Sequence, residues 1–206
     1  MTAQKAAGLP ATLSGAAEGE LGSAAQRERR KRILDATLAL ASRGGYDAVQ
    51  MREVADRADV ALGTLYRYFP SKIHLLVSAL AREFERAKEK LGKKQVPGDT
   101  PADRIIYVLN KVTKNMQREP LLTEAITRAF MFADPSAAAE VNAVAALMEQ
   151  ILTDAMSHGE PTAGERAIAR VIGDVWLSNL VAWVTRRASA SDVSGQLELA
   201  ARLLLR

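Results

Sequence analysis

Between the glycine pair Gly44-Gly45 and Pro70 the chain has room for only two short helices and one tight turn, and this spacing constrains the fold more than any other feature. Met51, Val54, Ala55 and Ala58 fall at i, i+3, i+4 and i+7, one face of a helix from Gln50 to Ala58. Asp59-Val60 breaks that pattern, and a second short helix runs from about Ala61 to Tyr68, turning Leu65 and Phe69 inward before Pro70 stops it. A helix from Ala25 precedes them, striped by Ile33, Ala36 and Leu40 and widened by Leu34, Leu38 and Ala41. Gly44-Gly45 ends it, because glycine enters the left-handed conformation without steric cost. Ser71 caps a fourth, long helix that carries Leu76, Leu80, Phe84, Ala87 and Leu91 as one stripe. A tight turn between a second and third helix, followed by a long one, presents a recognition helix to the major groove of DNA.

The remainder is helical by period and carries no strand pattern. Segments Pro101 to Glu119, Leu121 to Met131, Ser136 to His158, Glu165 to Arg186 and Ser191 to Leu205 are separated by proline or glycine signals. The expectation is an all-α chain of about nine helices. Residues 1–24 form a disordered tail, 25–70 a helix-turn-helix DNA-binding domain, and 71–206 an effector-binding and dimerisation domain with 71–91 as connecting helix. Charge divides along the same lines. Residues 25–90 carry 14 Lys and Arg against 9 Asp and Glu, whereas residues 91–206 carry 13 of each, so the positive excess sits where phosphate would be met. There are no cysteines, no signal sequence is legible, and no segment reads as membrane-spanning. A cytoplasmic protein that binds no membrane is expected.

The segment from Ala25 to Leu80, with its basic first helix and the run "GTLYRYFPSKIHLL", resembles the DNA-binding domain of the TetR family of repressors. Read on the residues, Gly63 lets the recognition helix approach DNA closely, and Thr64 reaches a phosphate or a base edge. Tyr66, Arg67 and Tyr68 project toward DNA, and Lys72 joins the free N–H groups of the fourth helix in holding a phosphate. Gln50 and Arg52, on the second helix, are further DNA candidates. Leu62 stands where the family usually has a polar residue, and either packs on a thymine methyl or merely covers Leu65. Ala61 removes a hydroxyl cap, and Asp59 occupies a turn position where glycine is common.

In the second half, the helices from Ser136 and from Glu165 are apolar around much of their circumference, which reads as a pocket and an interface. The candidates to line the pocket are Leu109, Val112, Met116, Leu122, Ile126, Phe130, Met148, Ile151 and Trp176, with plain core packing as the alternative for each. A homodimer through the last two helices would bury the remaining apolar surface and supply the two-fold symmetry of a palindromic operator. The likeness extends through "PLLTEAITRAFMFAD" and "VIGDVWLSNLVAWVTRRASASDVS" to the branch of the family that represses sterol (cholesterol) catabolism. That resemblance implies release from DNA by a steroid-acyl coenzyme A effector.

An enzyme finds little support. Only His74 and His158 could act as imidazole bases, and His74 is expected to face solvent. No thiol, nucleophile elbow, P-loop or dinucleotide fingerprint occurs. No catalytic residue, cofactor or metal is therefore expected. A non-specific DNA binder would share the basic domain without needing the apolar pocket.

Overall fold

The computed structural model describes residues 12–93, 95–157 and 159–205, with side chains from Ala24 onward. Among them the chain forms α1 (Thr12–Ala48), α2 (Met51–Arg57), α3 (Leu62–Tyr68), α4 (Lys72–Gly92), α5 (Pro101–Gln117), α6 (Pro120–Met131), α7 (Ala138–Met156), α8 (Ala163–Val184) and α9 (Ala190–Leu204). A 3-10 turn, Pro135–Ala137, leads into α7. One apolar core runs through the whole body, from Ile33 and Leu34 on α1 through Leu65 and Phe69 to Leu197 and Ala201 on α9.

Several local expectations meet particular outcomes. The glycine pair does break the first helix: Gly44 and Gly45 leave helical geometry, and Gly45 takes φ 66°. Asp59 sits at φ 52° in the turn between α2 and α3, as its tolerance of left-handed backbone allows. Within the expected disordered tail, residues 1–11 lie outside the described residues, but from Thr12 the backbone is helical. Elongating an existing helix is far easier than nucleating one, and the Ala, Glu and Leu residues of this stretch are strong helix formers.

His74 is a correction. It is buried rather than solvent-facing, with Nε2 3.0 Å from the Ser136 carbonyl and Nδ1 2.9 Å from Ser71 Oγ. A carbonyl can only accept, so Nε2 carries a proton and ties the first turn of α4 to the approach to α7. Helix α8 is a second correction: by length and composition it could cross a membrane, with mean hydropathy 1.4 over its most apolar stretch. The apolar surface is longer than the run Val175 to Val184, because Ile168, Val171 and Ile172 extend it N-terminally past Asp174. In this fold α8 packs against α7 and α9, and its hydropathy reflects a helix with apolar residues on more than one side.

Three helices of the second half start with reciprocal capping boxes: Thr100 with Asp103, Thr162 with Glu165, and Ser189 with Asp192. Hydrogen bonds from the capping residues hold all three carboxyls below their ordinary values. A depressed carboxyl stabilises the fold fully above its unfolded value and loses that contribution as pH falls through its folded value. The triple variant Asp103→Asn, Glu165→Gln, Asp192→Asn is therefore expected to melt below the parent at pH 7. The gap should narrow as pH drops below the ordinary carboxylate range of about 4, which thermal melts at pH 7 and pH 3 will check.

Candidate nucleic-acid interface and effector chamber

Leu65 and Phe69, 0% and 1% exposed, are buried in the same core as Ile33, Leu34 and Val54, and this fixes which face of α3 is left outside. Gly63, Tyr66 and Arg67 are exposed on that face, with Thr64 half-buried beside them. Arg67 Nη2 donates to Thr64 Oγ1 at 3.0 Å, which orients both polar tips together. A Cβ added at Gly63 would meet nothing within 4 Å, so no neighbour inside the chain requires glycine there. Ala61 starts α3 without a side-chain cap, and Thr64 and Leu65 N–H groups return to its carbonyl at 2.8 and 3.1 Å. Gln50 and Arg52 are exposed at the start of α2.

Two of the candidates are less available than their neighbours. Leu62 and Tyr68 are half-buried and packed against the core, and the Tyr68 ring lies 6.4 Å from that of Phe69. Sequence reasoning also missed Arg29 and Arg32 of α1, which with Thr64 and Arg67 line a cleft beside the turn, where Arg32 lies 3.7 Å from Asp59. The signal was the basic run Arg27 to Arg32, read as charge rather than as positions.

Lys72 opens α4 but is engaged within the protein. Its Nζ lies 3.8 Å from the centre of the Tyr46 ring, and Arg128 of α6 lies 4.3 Å from the same ring. Partial burial pulls the Lys72 ammonium below its ordinary pKa, Asp47 opposes this, and Arg128 adds to it.

Behind this module, α4, α5, α6, α7 and α8 line an open-sided chamber of about 320 Å³. Its walls are Leu80 and Phe84 of α4, Met116, Phe130, Met148, Trp176 and Leu180. Phe84 and Trp176 meet edge to face at 5.8 Å, and Trp176 Nε1 donates to Thr113 Oγ1 at 2.9 Å. The charged groups on the lining are Glu149, Arg170 and Asp174, with Arg170 paired to Glu149 at 3.0 Å. The lining is otherwise apolar, so its charge is confined to the side of the chamber at Glu149, Arg170 and Asp174.

Of the expected lining residues, Met116, Phe130, Met148 and Trp176 come together in this chamber. Val112, Leu122 and Ile126 lie with Met116 along a neighbouring, more polar cleft, and Ile151 borders a third hollow beside Arg104. Leu109 borders none of these; it is 1% exposed in the core of α5. Leu80, Phe84 and Leu180 were not anticipated, although the α4 stripe contained the first two.

Residues 33–79 match the family described as bacterial regulatory proteins, tetR family, and residues 98–204 match the tetracyclin repressor-like C-terminal domain. The chain is 66% identical over 188 residues to the HTH-type transcriptional repressor KstR of Mycolicibacterium smegmatis, covering 91% of this chain and 92% of that one. This chain belongs to the TetR family. It is 65% identical to KstR of Mycobacterium tuberculosis, over 92% of this chain and 86% of the relative. A solved TetR regulator from Rhodococcus sp. RHA1 superposes with TM-score 0.82 at 33% identity, covering 87% of this chain and 97% of that one. A Thermus thermophilus FadR solved with lauroyl-CoA shares the fold, with TM-score 0.66 at 22% identity over 85% of this chain and 93% of that one.

As a TetR-family member related to the KstR repressors, the protein is a DNA-binding transcriptional repressor and not an enzyme. Its two TetR-family parts are joined at more than the start of α4. The most extensive contact between helices is α1 with α6. There Ser42 Oγ donates to Glu119 Oε2 at 2.6 Å, and Gly45 lies against Leu121 and Glu124.

Proposed function

We propose that this chain represses genes of sterol (cholesterol) catabolism, bound as a cytoplasmic homodimer to palindromic operator DNA and released by a steroid-acyl coenzyme A. Residues 25–70 form the DNA-binding unit, with contacts from Gln50, Arg52, Leu62, Gly63, Thr64, Tyr66, Arg67, Tyr68 and, just beyond it, Lys72. Residues 71–206 hold the effector and pair the subunits. The pairing helices are α8 and α9. Within one chain only 22% of the most apolar stretch of α8 is buried, and Val171, Leu199 and Leu203 are about half exposed. A second copy would cover them and bring two recognition helices into a two-fold arrangement.

One observation carries the mechanism: the helix that begins with Lys72 beside the DNA module also supplies Leu80 and Phe84 to the chamber wall. A ligand that occupies the chamber pushes on α4 at Phe84 and displaces its first turn. Half-sites lie about one DNA turn, roughly 34 Å, apart, so a small rotation of each subunit spoils simultaneous docking.

Footprinting upstream of the chain's own gene will define the operator, and a panel of thioesters will define the effector. The expected result is a protected palindrome released by cholanoyl-type steroid thioesters at concentrations where palmitoyl-CoA and free coenzyme A have no effect. Release by palmitoyl-CoA alone would transfer the reading to another acyl ligand. Displacement of the operator by random duplex as readily as by operator itself would remove specific repression.

A further inference from the structure

The basic run of α1 does not form one uniform patch. Arg30 lies over the Phe69 ring, 5.5 Å from its centre, and Lys31 pairs with Glu28 at 3.7 Å. Arg29 and Arg32 instead line the cleft beside the turn between α2 and α3, where they meet Thr64 and Arg67. The members of each pair are three residues apart on a helix, so each pair presents two side chains from one helix face. The cleft thereby gathers three guanidinium groups and a hydroxyl from two helices. Among the residues that line it only Asp59 is acidic, and its side chain is 98% exposed and 3.7 Å from Arg32.

Three guanidinium groups around one cleft repel one another, and a single exposed carboxylate does not balance them. An anion would. A guanidinium fork matches phosphate oxygens in geometry as well as in charge. Position decides which phosphate it is. Arg67 and Thr64 are bonded to each other on the side of α3 that leaves Gly63 and Tyr66 outside. An approach that seats this face against DNA also brings the flanking sugar-phosphate backbone to the cleft. Asp59 acts with the opposite sign. It holds a left-handed φ of 52° that glycine adopts freely, and an exposed ion pair such as that with Arg32 contributes little to folding. Its main consequence is electrostatic, a carboxylate at the edge of the cleft that draws on Arg32 and repels phosphate.

We propose that Arg29 and Arg32 of α1 join Arg67 in clamping one backbone phosphate at each half-site, and that Asp59 holds this clamp below its full strength. The inference rests on the DNA-binding reading of α3 and extends that interface onto the first helix. A phosphate contact carries no base information, so the clamp adds to the affinity for any duplex and Asp59 subtracts from it. Discrimination between sequences is left to the base contacts of α2 and α3.

The test uses the full chain with the footprinted operator and with a random duplex, binding being read by fluorescence anisotropy between about 50 and 200 mM salt. In the double variant Arg29→Gln, Arg32→Gln the plot of log affinity against log salt should lose about 0.9 of its slope per half-site on both duplexes, the share of one phosphate, with affinity down about tenfold at the low-salt end. Asp59→Asn keeps a side chain that tolerates left-handed backbone, and should raise affinity for both duplexes by one common factor of about three, less at high salt. Lys31→Gln removes a charge of the same helix outside the cleft and should change the slope by less than half as much. All three variants should melt with the parent. An unchanged slope in the double variant, or a change as large in Lys31→Gln, overturns the proposal. A loss of affinity in Asp59→Asn also overturns it, because the pair with Arg32 would then serve only to hold the arginine in place. If the parent binds both duplexes equally, specific repression fails and the clamp is still tested on either. If the parent binds neither, the DNA-binding reading fails and takes this one with it.

Discussion

Replacing Gly63 by leucine is expected to remove operator binding, by roughly a hundredfold or more, while the melting temperature stays level or rises. Glycine inside a helix costs about 0.5–1 kcal/mol relative to alanine. The chain accepts that cost at a position where a Cβ would meet nothing of its own, on the exposed face of α3 between Leu62 and Thr64. On the proposed DNA-binding reading the reason for the glycine lies outside the chain, in a surface that approaches the helix backbone closely. A leucine there holds α3 off the DNA, and with it Thr64, Tyr66 and Arg67. Losing two base or phosphate contacts at about 1–3 kcal/mol each gives the stated factor. Fluorescence anisotropy on operator duplex and calorimetric melting check the two halves together. Unchanged affinity, or a fall in melting temperature, would contradict this account of α3.

The second large effect concerns the chamber. Gly173 lies on its α8 wall, and a Cβ there would sit 3.6 Å from Met148 Cγ, an ordinary contact. Gly173→Phe is expected to place a ring in ligand space without disturbing the DNA module. The variant should bind operator as the parent does, yet need at least tenfold more steroid thioester for release, a coupling loss within the usual 1–3 kcal/mol of allosteric effects. Size-exclusion mass measurement confirms that pairing is retained. A variant released at the parent's thioester concentration would mean that the effector acts elsewhere.

How much of this was legible in the sequence depended on whether the deciding partner was near in the chain. Leu65, Phe69 and Ile33 reveal themselves by helical spacing, because burial on one face is a property of a single helix. The turn at Asp59 and the break at Gly44-Gly45 are local chemistry and were equally readable. His74 was not, since what buries it is a carbonyl 62 residues away at Ser136. The chamber divides in the same manner. Met116, Phe130, Met148 and Trp176 follow from stripes on their own helices, but Phe84 belongs to a stripe that reads as core until α8 brings Trp176 against it. Leu109 shows the converse, a stripe residue whose neighbours close over it completely.

The central claim is that filling the chamber weakens specific docking and leaves general DNA affinity alone. Operator affinity and random-duplex affinity, measured at one salt concentration with and without saturating steroid thioester, test it directly. Salt must be fixed because phosphate contacts dominate both affinities. The account predicts that operator affinity falls at least tenfold while random-duplex affinity stays unchanged. An operator affinity that does not move, or two affinities that fall by the same factor, would contradict it.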